Sequence, residues 1–412
     1  MEQKKALEIL KSGQNAFVTG PAGSGKTYLL NQFIAYLRKK KIRVAKTAST
    51  GIAATHMNGL TIHSWSGMGI YDSIDNQIIK SLKKQDRLVK RLGRTEVLII
   101  DEVSMLHDFQ LDMLDKICKS FKDPFLPFGG LQIVLSGDLF QLPPISRGDD
   151  PVRPVIHSRA WQEADLQVCY LDKQYRQDDQ IMLKVLNAIR ERKIDKEIKD
   201  ILKTRENKEI KNVENPTRLF SHNANVDDLN NIELNKVEGD CFRYNMKSTG
   251  YQNVVKALKR GCLAPDKLYL KKGAKVMFVK NNFEKGYVNG TTGVVAGFNK
   301  SGFPIVKTHT GEKILAEPER WVAEAEDGFF LGEIKQIPLR LAWAITIHKS
   351  QGMTLDGAEM DLRETFEYGM GYVALSRCRR LDGIKLLGFN EMALQVDPEI
   401  FKIDAQLKKL SG

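Results

Sequence analysis

Apolar runs alternate with amphipathic stretches along the first part of the chain. Four runs have the length and the apolar character of buried strands, at residues 16–19, 44–47, 97–100 and 133–135. The intervening stretches 28–39 and 109–121 place apolar side chains at the three- and four-residue spacing of amphipathic helices. Strands that alternate with helices predict βαβ units and a parallel sheet, so we expect an α/β domain here.

A second alternation of the same kind begins near Leu171. Segments with strand character follow at residues 218–221, 342–347, 374–375 and 385–389. They predict a second α/β domain. Residues 268–334 differ, because short β-like runs there are separated by glycine and asparagine and include the hairpin signal Asn289-Gly290. We therefore expect a small β-barrel inserted into the second domain.

The predicted organisation is two α/β domains, each interrupted by an insertion. The first domain comprises residues 1–65 and 97–165, around an insertion at 66–96 that contains the basic stretch KSLKKQDRLVKRLGR. The second domain comprises residues 166–267 and 335–412, around the β-rich insertion at 268–334. A chain of 412 residues is long enough to give each domain its own core.

Composition and charge narrow the class of protein. The formal net charge of +12 favours a polyanionic partner, although a generally lysine-rich composition would give the same value. The five cysteines form no C-x-x-C pair, which argues against a zinc site, an iron–sulfur cluster or a disulfide framework. No apolar stretch has the length of a membrane span, and the first residues lack the apolar core of a signal peptide. A cytoplasmic protein is expected.

The segment GPAGSGKT connects the first predicted strand to the first predicted helix. It matches the pattern G-x-x-x-x-G-K-[ST] through Gly20, Gly23, Ser24, Gly25, Lys26 and Thr27. Glycines let backbone N–H groups converge on an anion, and the positive end of the helix dipole adds to the attraction. We expect Lys26 to reach the β and γ phosphates of a nucleoside triphosphate and Thr27 to hold Mg²⁺.

Two further segments carry side chains suited to phosphate chemistry. LIIDEVSML ends a predicted strand with Asp101, a candidate metal ligand, and Glu102, a candidate general base that would polarise a water. LSGDLFQLPPI carries Gln141, which can donate to a γ-phosphate and accept from water. Each segment is unspecific by itself, and the phosphate loop upstream is what makes the combination specific.

Two arginines in the second half are candidates for transition-state stabilisation. Arg176 lies in LDKQYRQ, and Arg377 lies in YVALSRCRR after a predicted strand. Phosphoryl transfer builds negative charge on the γ-phosphate oxygens, which an arginine from an opposing surface stabilises. If both point at the nucleotide, ATP lies between the two domains. Taken alone, each would be an ordinary salt-bridging arginine.

Three segments combine small residues, hydroxyls and histidine after β-like runs. They are ASTGIAA, TIHSWSG and TIHKSQG, and they contain the candidate nucleic-acid contacts Thr50, His63, Trp65, His348 and Lys349. Hydroxyls and backbone N–H groups can hold a sugar–phosphate chain without reading bases, and Trp65 could stack on a base. Equally, Trp65 could be a core residue, and both histidines could make only local hydrogen bonds.

The ordered set of motifs resembles the superfamily-1B DNA helicases, and most of all the petite integration frequency (PIF) family, with RecD-like helicases next. The resemblance rests on GPAGSGKT, TASTGIAA, LIIDEVSML, FGGLQIVLSGDLFQLPP, LDKQYRQ, AITIHKSQGMTLD and YVALSRCRR. It extends from Gln3 to about Phe389, and the stretch 108–121 lies where the family carries its signature helix. The family's accessory regions are not matched, so we carry over no mitochondrial or telomeric role and expect a bacterial or phage-like origin.

The resemblance implies an α/β fold with two RecA-like P-loop domains, a small wedge-domain insertion at 66–96 and an SH3-like β-barrel insertion at 268–334. It implies ATP and Mg²⁺ in the cleft between the domains and movement 5′ to 3′ on single-stranded DNA. Forked or 5′-tailed duplexes are the expected substrates, and a monomer is the expected free state. The resemblance assigns recognition of the adenine base to Gln3. It assigns ATP binding and hydrolysis to Lys26, Thr27, Asp101, Glu102, Gln141, Arg176 and Arg377. Thr50, His63, His348 and Lys349 match DNA contacts.

Three readings remain at this point. The chain is an ATP-dependent DNA helicase, a translocase that strips proteins from DNA, or a nucleotide-gated binding module. The presence of Glu102, Arg176 and Arg377 favours hydrolysis over a passive switch. A small-molecule kinase is disfavoured by the second α/β domain with its own arginine.

Overall fold

Two parallel β-sheets, one in each half of the chain, define the architecture. The computed structural model describes residues 1–69, 71–144, 153–210, 216–221, 226–282, 284–324 and 329–411. Helices flank both sheets, which confirms the predicted α/β fold class. Among the described residues, none of the helices combines the length and apolar character needed to cross a bilayer.

A six-stranded sheet organises the first domain. Its strands are β1 (Ala16–Thr19), β2 (Val44–Ala48), β3 (Leu60–Thr61), β4 (Val97–Asp101), β5 (Gln132–Ser136) and β6 (Gln167–Tyr170). The order is β3-β2-β4-β5-β1-β6 and all neighbours are parallel. Parallel strands end at the same edge, so the segments that follow β1, β2, β4 and β5 meet there.

Helices cover both faces of this sheet. They are α1 (Gln3–Lys11), α2 (Lys26–Lys39), α3 (Gly51–His56), α4 (Ile62–Ser66), α5 (Asn76–Lys83), α6 (Asp86–Arg94), α7 (Asp108–Phe121) and α8 (Arg159–Glu163). Alternate residues of β4 enter different cores, with Leu98 and Ile100 in one cluster and Val97 and Ile99 in the other. Such alternation is expected for a strand covered on both faces.

The predicted insertion at 66–96 is helical and packs on the first domain. Its two helices, α5 and α6, bury Leu82, Leu88 and Leu92 in the same core cluster as Trp65 of α4 and Leu114 of α7. Shared burial fixes the position of the insertion against α7.

The predicted boundary between the domains at residues 165 and 166 is wrong. Strand β6 begins at Gln167 and pairs with β1, with Phe17 opposite Val168 and Thr19 opposite Tyr170. It is therefore the edge strand of the first sheet. The chain crosses to the second domain only after this strand.

The second domain begins with helices and one strand, and then leaves for its insertion. These elements are α9 (Gln180–Arg190), α10 (Lys196–Lys203), β7 (Thr217–Phe220) and α11 (Val226–Lys236). The insertion contains β8 (Phe242–Asn245), β9 (Lys247–Gly250), α12 (Gln252–Gly261), β10 (Lys267–Leu270), β11 (Lys275–Phe278), β12 (Thr292–Phe298), β13 (Pro304–Thr308), β14 (Lys313–Leu315), β15 (Glu319–Glu324), β16 (Phe330–Gln336) and β17 (Leu339–Leu341).

The insertion is larger than the predicted 268–334. Its main sheet has the order β14-β13-β12-β11-β17 and is antiparallel throughout, so β17 belongs to it. Strands β8 and β9, which precede residue 268, pair with β10 and β16. Phe278, Val295 and Val306 bury their side chains in a core separate from that of the two α/β domains.

The chain then completes the second sheet. The remaining elements are β18 (Ala344–Thr346), β19 (Ala358–Leu362), α13 (Met370–Leu375), β20 (Ile384–Phe389) and α14 (Pro398–Leu410). The strand order is β18-β7-β19-β20, all parallel. The strand predicted at residues 374–375 is wrong, because these residues end α13. Every residue of α13 is buried, so no polar face marks it as a helix.

Candidate functional site

The phosphate loop between β1 and α2 needs glycine at three positions. Gly20, Gly23 and Gly25 have φ values of +142°, +82° and +83°. A Cβ atom at Gly20 would lie 2.3 Å from the carbonyl oxygen of Leu171, and one at Gly25 would lie 2.2 Å from Nε2 of Gln3. Side chains are therefore excluded at these positions by conformation and by space.

Lys26 begins α2 and folds back over this loop. Its Nζ donates to the carbonyl oxygens of Gly20 at 2.8 Å and Pro21 at 3.2 Å. Burial lowers the pKa of Lys26, and the nearby carboxylate charges of Asp138 and Glu102 oppose this shift. Gln3 of α1 also contacts the loop, with Nε2 donating to the Ser24 carbonyl oxygen at 3.1 Å.

Two acidic residues follow one another where β4 ends. The Oγ1 atom of Thr27 donates to Oδ2 of Asp101 at 3.4 Å, so a hydroxyl and a carboxylate meet beside the phosphate loop. Glu102 has φ +54°, a left-handed conformation that non-glycine residues rarely adopt and that concentrates at functional sites. Burial, and next the charge of Asp101, raise the pKa of Glu102 to about 7. This carboxylate is therefore basic enough to accept a proton near neutral pH.

Gln351 connects this acid to the second domain, and sequence reasoning missed it. Its Nε2 donates to Oε2 of Glu102 at 3.2 Å and to Oε1 of Gln141 at 3.4 Å. Gln351 follows His348 and Lys349 in TIHKSQG, a segment that the sequence associates with nucleic acid. One amide therefore bridges the candidate base Glu102 and Gln141, and it comes from the segment that contains the candidate strand contacts His348 and Lys349.

Both predicted arginines lie at the same interface. The Cβ atom of Arg176 is so close to the phosphate loop that a Cβ at Gly23 would lie 2.6 Å from it. Arg176 Nη1 donates to the carbonyl oxygen of Ser376 at 3.3 Å. Arg377 is 1% exposed, and burial together with the charge of Arg176 lowers its pKa to about 9. The structure therefore brings two cationic groups together beside the phosphate loop.

A buried polar network anchors the phosphate loop to the second domain. The carboxylate of Asp138 accepts from Arg190 Nη1 at 2.7 and 2.8 Å and from the Tyr372 hydroxyl at 3.1 Å. The Tyr372 oxygen also accepts from the backbone N–H of Ala22 at 2.9 Å. Burial would raise the pKa of Asp138, but the charges of Arg190 and Lys26 keep it below its usual value. Asp138 lies in LSGDLFQLPPI and Tyr372 lies in YVALSRCRR, but the sequence singled out neither residue.

Three predicted nucleic-acid contacts line one cavity between the domains. This interdomain cavity, of about 150 Å³, is lined by Thr50 from the start of α3, by His348 and Lys349, and by Glu102. The Thr50 hydroxyl caps α3 by accepting from the backbone N–H of Ala53. The candidate strand contacts and the candidate catalytic base therefore line the same cavity.

The other two predicted contacts lie elsewhere. Trp65 is 1% exposed and packs in the main core, which contradicts its predicted stacking on a base. A side chain enclosed by apolar neighbours gains more from burial than from a solvent-exposed contact. His63 is half-buried, and its Nε2 lies 3.1 Å from Nε2 of Gln110 in α7.

Helix α12 of the insertion rests on α3. A Cβ atom added at Gly51 would lie 2.5 Å from the Cα of Gly261, so the two helices touch through their backbones. A second contact joins the same parts of the molecule, because Nδ2 of Asn289 lies 3.0 Å from Nε2 of His56. Burial lowers the pKa of His56 to about 4, so its ring is neutral at physiological pH. The insertion thus packs on α3 directly beside Thr50, a candidate strand contact.

Comparison with known proteins identifies the family. A model described as PIF1-like helicase matches residues 1–214, and a model described as the DNA helicase Pif1 2B domain matches residues 253–298. The chain is 44% identical over 472 aligned residues to the ATP-dependent DNA helicase Pif1 of Psychrobacter sp. (strain PRwf-1), covering 100% of this chain and 71% of that relative. The chain belongs to the PIF1-like helicase family. This confirms the resemblance on which the site predictions rest.

Other members of the PIF1-like family show how far the match extends. The ATP-dependent DNA helicase PIF1 of Xenopus laevis is 34% identical, and the alignment covers 99% of this chain and 64% of that protein. The chain therefore spans about two thirds of these two relatives. Pif1 from Bacteroides sp. in complex with ADP-AlF4 superimposes with a TM-score of 0.84 at 29% identity, over 99% of this chain and 96% of that one. With Bacteroides Pif1 bound to ssDNA the TM-score is 0.66, at 30% identity and the same coverage.

Proposed function

We propose that this chain is an ATP-dependent DNA helicase that moves 5′ to 3′ along single-stranded DNA and unwinds duplexes. One observation carries the proposal. Gln351 donates to Glu102 at 3.2 Å and belongs to the segment that places His348 and Lys349 in the interdomain cavity. A change in how a strand is held there acts directly on the group that would activate water.

The first domain supplies the groups that bind and cleave the nucleotide. Backbone N–H groups of the phosphate loop and the Lys26 ammonium hold the phosphates, as the loop geometry and the position of Lys26 support. Glu102 removes a proton from the attacking water, and Gln141 contacts the γ-phosphate. Gln3, which touches the same loop, contacts the adenine base.

Arg176 and Arg377 act on the same phosphate from the second-domain side. Phosphoryl transfer spreads negative charge over the γ-phosphate oxygens, and preformed cations stabilise that charge without reorganisation. Both arginines carry desolvated guanidinium groups whose pKa is lowered by burial, so their charges are poorly compensated before the nucleotide binds. An anionic transition state supplies the compensation.

The side chains beside the phosphate loop fit Mg²⁺. Thr27 and Asp101 offer a hydroxyl and a carboxylate within 3.4 Å of each other. Two protein oxygens are enough for such a site, because Mg²⁺ retains several water ligands and takes others from the substrate phosphates. When bound, Mg²⁺ neutralises phosphate charge, and Thr27 and Asp101 hold it in position.

Each domain holds the DNA strand separately. Thr50 and His63 belong to the first domain, and His348 and Lys349 belong to the second. ATP draws the domains together through the contacts of Arg176 and Arg377, and loss of phosphate releases them. The two sets of contacts then move past each other along the strand. Single-stranded and forked DNA are the partners, since Bacteroides Pif1 has been crystallised with ssDNA, and the cytoplasm is the expected compartment.

Unwinding of tailed duplexes tests the proposal. With ATP and Mg²⁺, a duplex with a 5′ tail should open, whereas blunt and 3′-tailed duplexes should remain closed. Glu102→Gln is the matched control, because it keeps the shape of the side chain and removes the base; it should bind ATP without turnover. Opening from a 3′ tail would refute the polarity. Full-rate ATPase without DNA would refute the link between strand and nucleotide.

A further inference from the structure

A basic groove lies between the helical insertion of the first domain and the insertion of the second. It has a volume of about 710 Å³ and contains the basic residues Arg43, Arg87, Lys90, Arg91 and Arg94. Among the described residues that line it, Asp86 is the one acid. Cations at positions 87, 90, 91 and 94 follow the spacing of one helix face. Arg87, Lys90 and Arg94 are exposed, whereas Arg91 is half-buried and donates to the carbonyl oxygen of Ser64 at 3.3 Å.

Aromatic rings line the facing wall. Tyr251, which caps the N-terminus of α12, lies under the guanidinium of Arg87 at 3.7 Å. Phe329 also lines the groove and is 60% exposed. Cationic side chains interleaved with aromatic faces are the combination that binds single-stranded nucleic acid without sequence preference, because phosphates meet the charges and bases stack on the rings.

The groove is separate from the interdomain cavity. Arg43 directly precedes β2, whereas Thr50 follows the other end of this strand. At about 3.3 Å per residue, the two positions are on the order of 20 Å apart. The two sites have no lining residue in common. A strand held at Thr50, His348 and Lys349 therefore leaves the groove available.

We propose that the basic groove binds the displaced strand of forked DNA, which is the strand that the interdomain cavity does not hold. The proposal rests on the proposed helicase function, since unwinding creates a second single strand beside the first. The exposed ring of Phe329 can stack on a base, which favours a single strand over a duplex, whose bases already stack on one another. The displaced strand is held through its phosphates, and its return to the duplex is slowed.

Binding of three labelled DNAs tests this assignment without ATP. They are a single strand, a duplex with a 5′ tail, and the same duplex with an added 3′ flap that makes a fork. The test variant is Arg43→Ala with Lys90→Ala, since both side chains are exposed. The control is Lys80→Ala with Lys84→Ala, which removes the same amount of charge from exposed positions of the insertion that lie outside the groove.

The wild-type protein should bind the fork more tightly than the 5′-tailed duplex. If two phosphates are neutralised, this advantage should fall about sevenfold between 50 and 200 mM salt. The groove variant should lose the advantage yet keep its affinity for the single strand, and the control should keep both.

Three results would overturn the assignment. Equal losses on fork and single strand would mean that the groove holds the tracking strand, along which the enzyme moves. An unchanged fork advantage would mean that no nucleic acid binds there, and an equal loss in the control would mean that only overall charge matters. Failure of the wild type to unwind the 5′-tailed duplex would refute the proposed function instead, and the binding assay would still decide this inference.

Discussion

The phenolic oxygen of Tyr372 lies 2.9 Å from the backbone nitrogen of Ala22, although 350 residues separate them. Ala22 belongs to the phosphate loop, and Tyr372 belongs to α13, the helix that ends just before Arg377. The loop and the helix that leads to the candidate catalytic residue Arg377 are therefore joined by a buried hydrogen bond. A shift of α13 would therefore act on the loop that we propose to hold the phosphates.

Tyr372→Phe should lower the kcat of DNA-stimulated ATP hydrolysis several-fold. The change removes the acceptor for Ala22 and the donor to Asp138, and a buried hydrogen bond contributes about 1 kcal/mol. Tyr170→Phe is the control, because its hydroxyl contacts Arg190 and Asp404 in the same network and does not touch the loop. Steady-state kinetics at saturating DNA compares them. Equal loss of kcat in both variants would show that only network stability matters.

Arg176→Ala and Arg377→Ala should each lower kcat by roughly a thousandfold while ATP binding changes little. Their charges act mainly on the transition state. Arg377 also donates to the carbonyl oxygens of Val373 and Ser350, so Arg377→Lys, which keeps the charge, should be included. Arg380→Ala is the control, since Arg380 is exposed and pairs with Asp382. Binding of a fluorescent ATP analogue, measured beside kcat, separates the two effects; a defect confined to binding would contradict the assignment.

Gln351→Ala should abolish the stimulation of ATPase by single-stranded DNA and leave the basal rate nearly unchanged. Its amide is the direct contact between the strand-binding segment and Glu102. Lys349→Ala provides a contrast, because losing a phosphate contact should raise the DNA concentration needed for half-maximal stimulation without lowering the maximum. ATPase titrated with DNA measures both quantities. Full stimulation in Gln351→Ala would rule out this route of coupling.

Gly261→Ala should strengthen binding of single-stranded DNA several-fold. An added Cβ would lie 2.5 Å from the carbonyl oxygen of Gly51, so α12 could no longer rest on α3. Gly297→Ala is the matched control in the same insertion, because nothing lies within 4 Å of its added Cβ. Fluorescence anisotropy at fixed salt compares their affinities. Weaker binding in Gly261→Ala would mean that α12 supports the strand contacts instead of covering them.

Stability should fall as the pH drops from 6.5 to 4, in part because of His56. Its pKa is about 4 in the fold against an ordinary value near 6.5, so the unfolded chain takes up the proton first. The contribution is present above pH 6.5 and is lost as the pH falls through 4, on the order of 2 kcal/mol for a ring that remains partly accessible. Urea unfolding of wild type and His56→Gln at pH 7, 5.5 and 4.5 measures the difference. Parallel pH profiles would refute it.

The local sequence pattern predicted the structure correctly where that structure depends on residues adjacent in the chain. The strand, glycine loop and helix around Lys26 follow from adjacent residues, and so do the acids after β4. Strand β6 could not be assigned to the right sheet, because pairing of Phe17 with Val168 is a long-range contact. Helix α13 was mistaken for a strand because a helix buried on all sides has no amphipathic pattern.

The candidate site was predicted where motifs carry its residues and missed where distant residues meet. Glu102 and Arg377 were found from motifs, whereas Gln351 and Tyr372 lay within quoted motifs without a distinguishing signal. Arg190 lies in none of the motifs. Its role is recognisable only in the structure, where its guanidinium donates to the carboxylate of Asp138, 52 residues away in the chain. The burial of Trp65 identifies it as a core residue. The sequence alone does not distinguish an aromatic ring that stacks on a base from one that packs in the core.

Helix α12 connects the two proposed strand sites. Gly261 at one end covers the start of α3, and Asn253 and the capping residue Tyr251 at the other end line the basic groove. A helix of ten residues moves as one body, so displacing it from α3 also moves a wall of the groove. Linkage then requires reciprocity: whatever factor the tracking strand imposes on the affinity for the displaced strand, the displaced strand imposes on the affinity for the tracking strand. With both proposed sites occupied, a fork would therefore be recognised by the coupling between its two arms, which neither arm alone can supply.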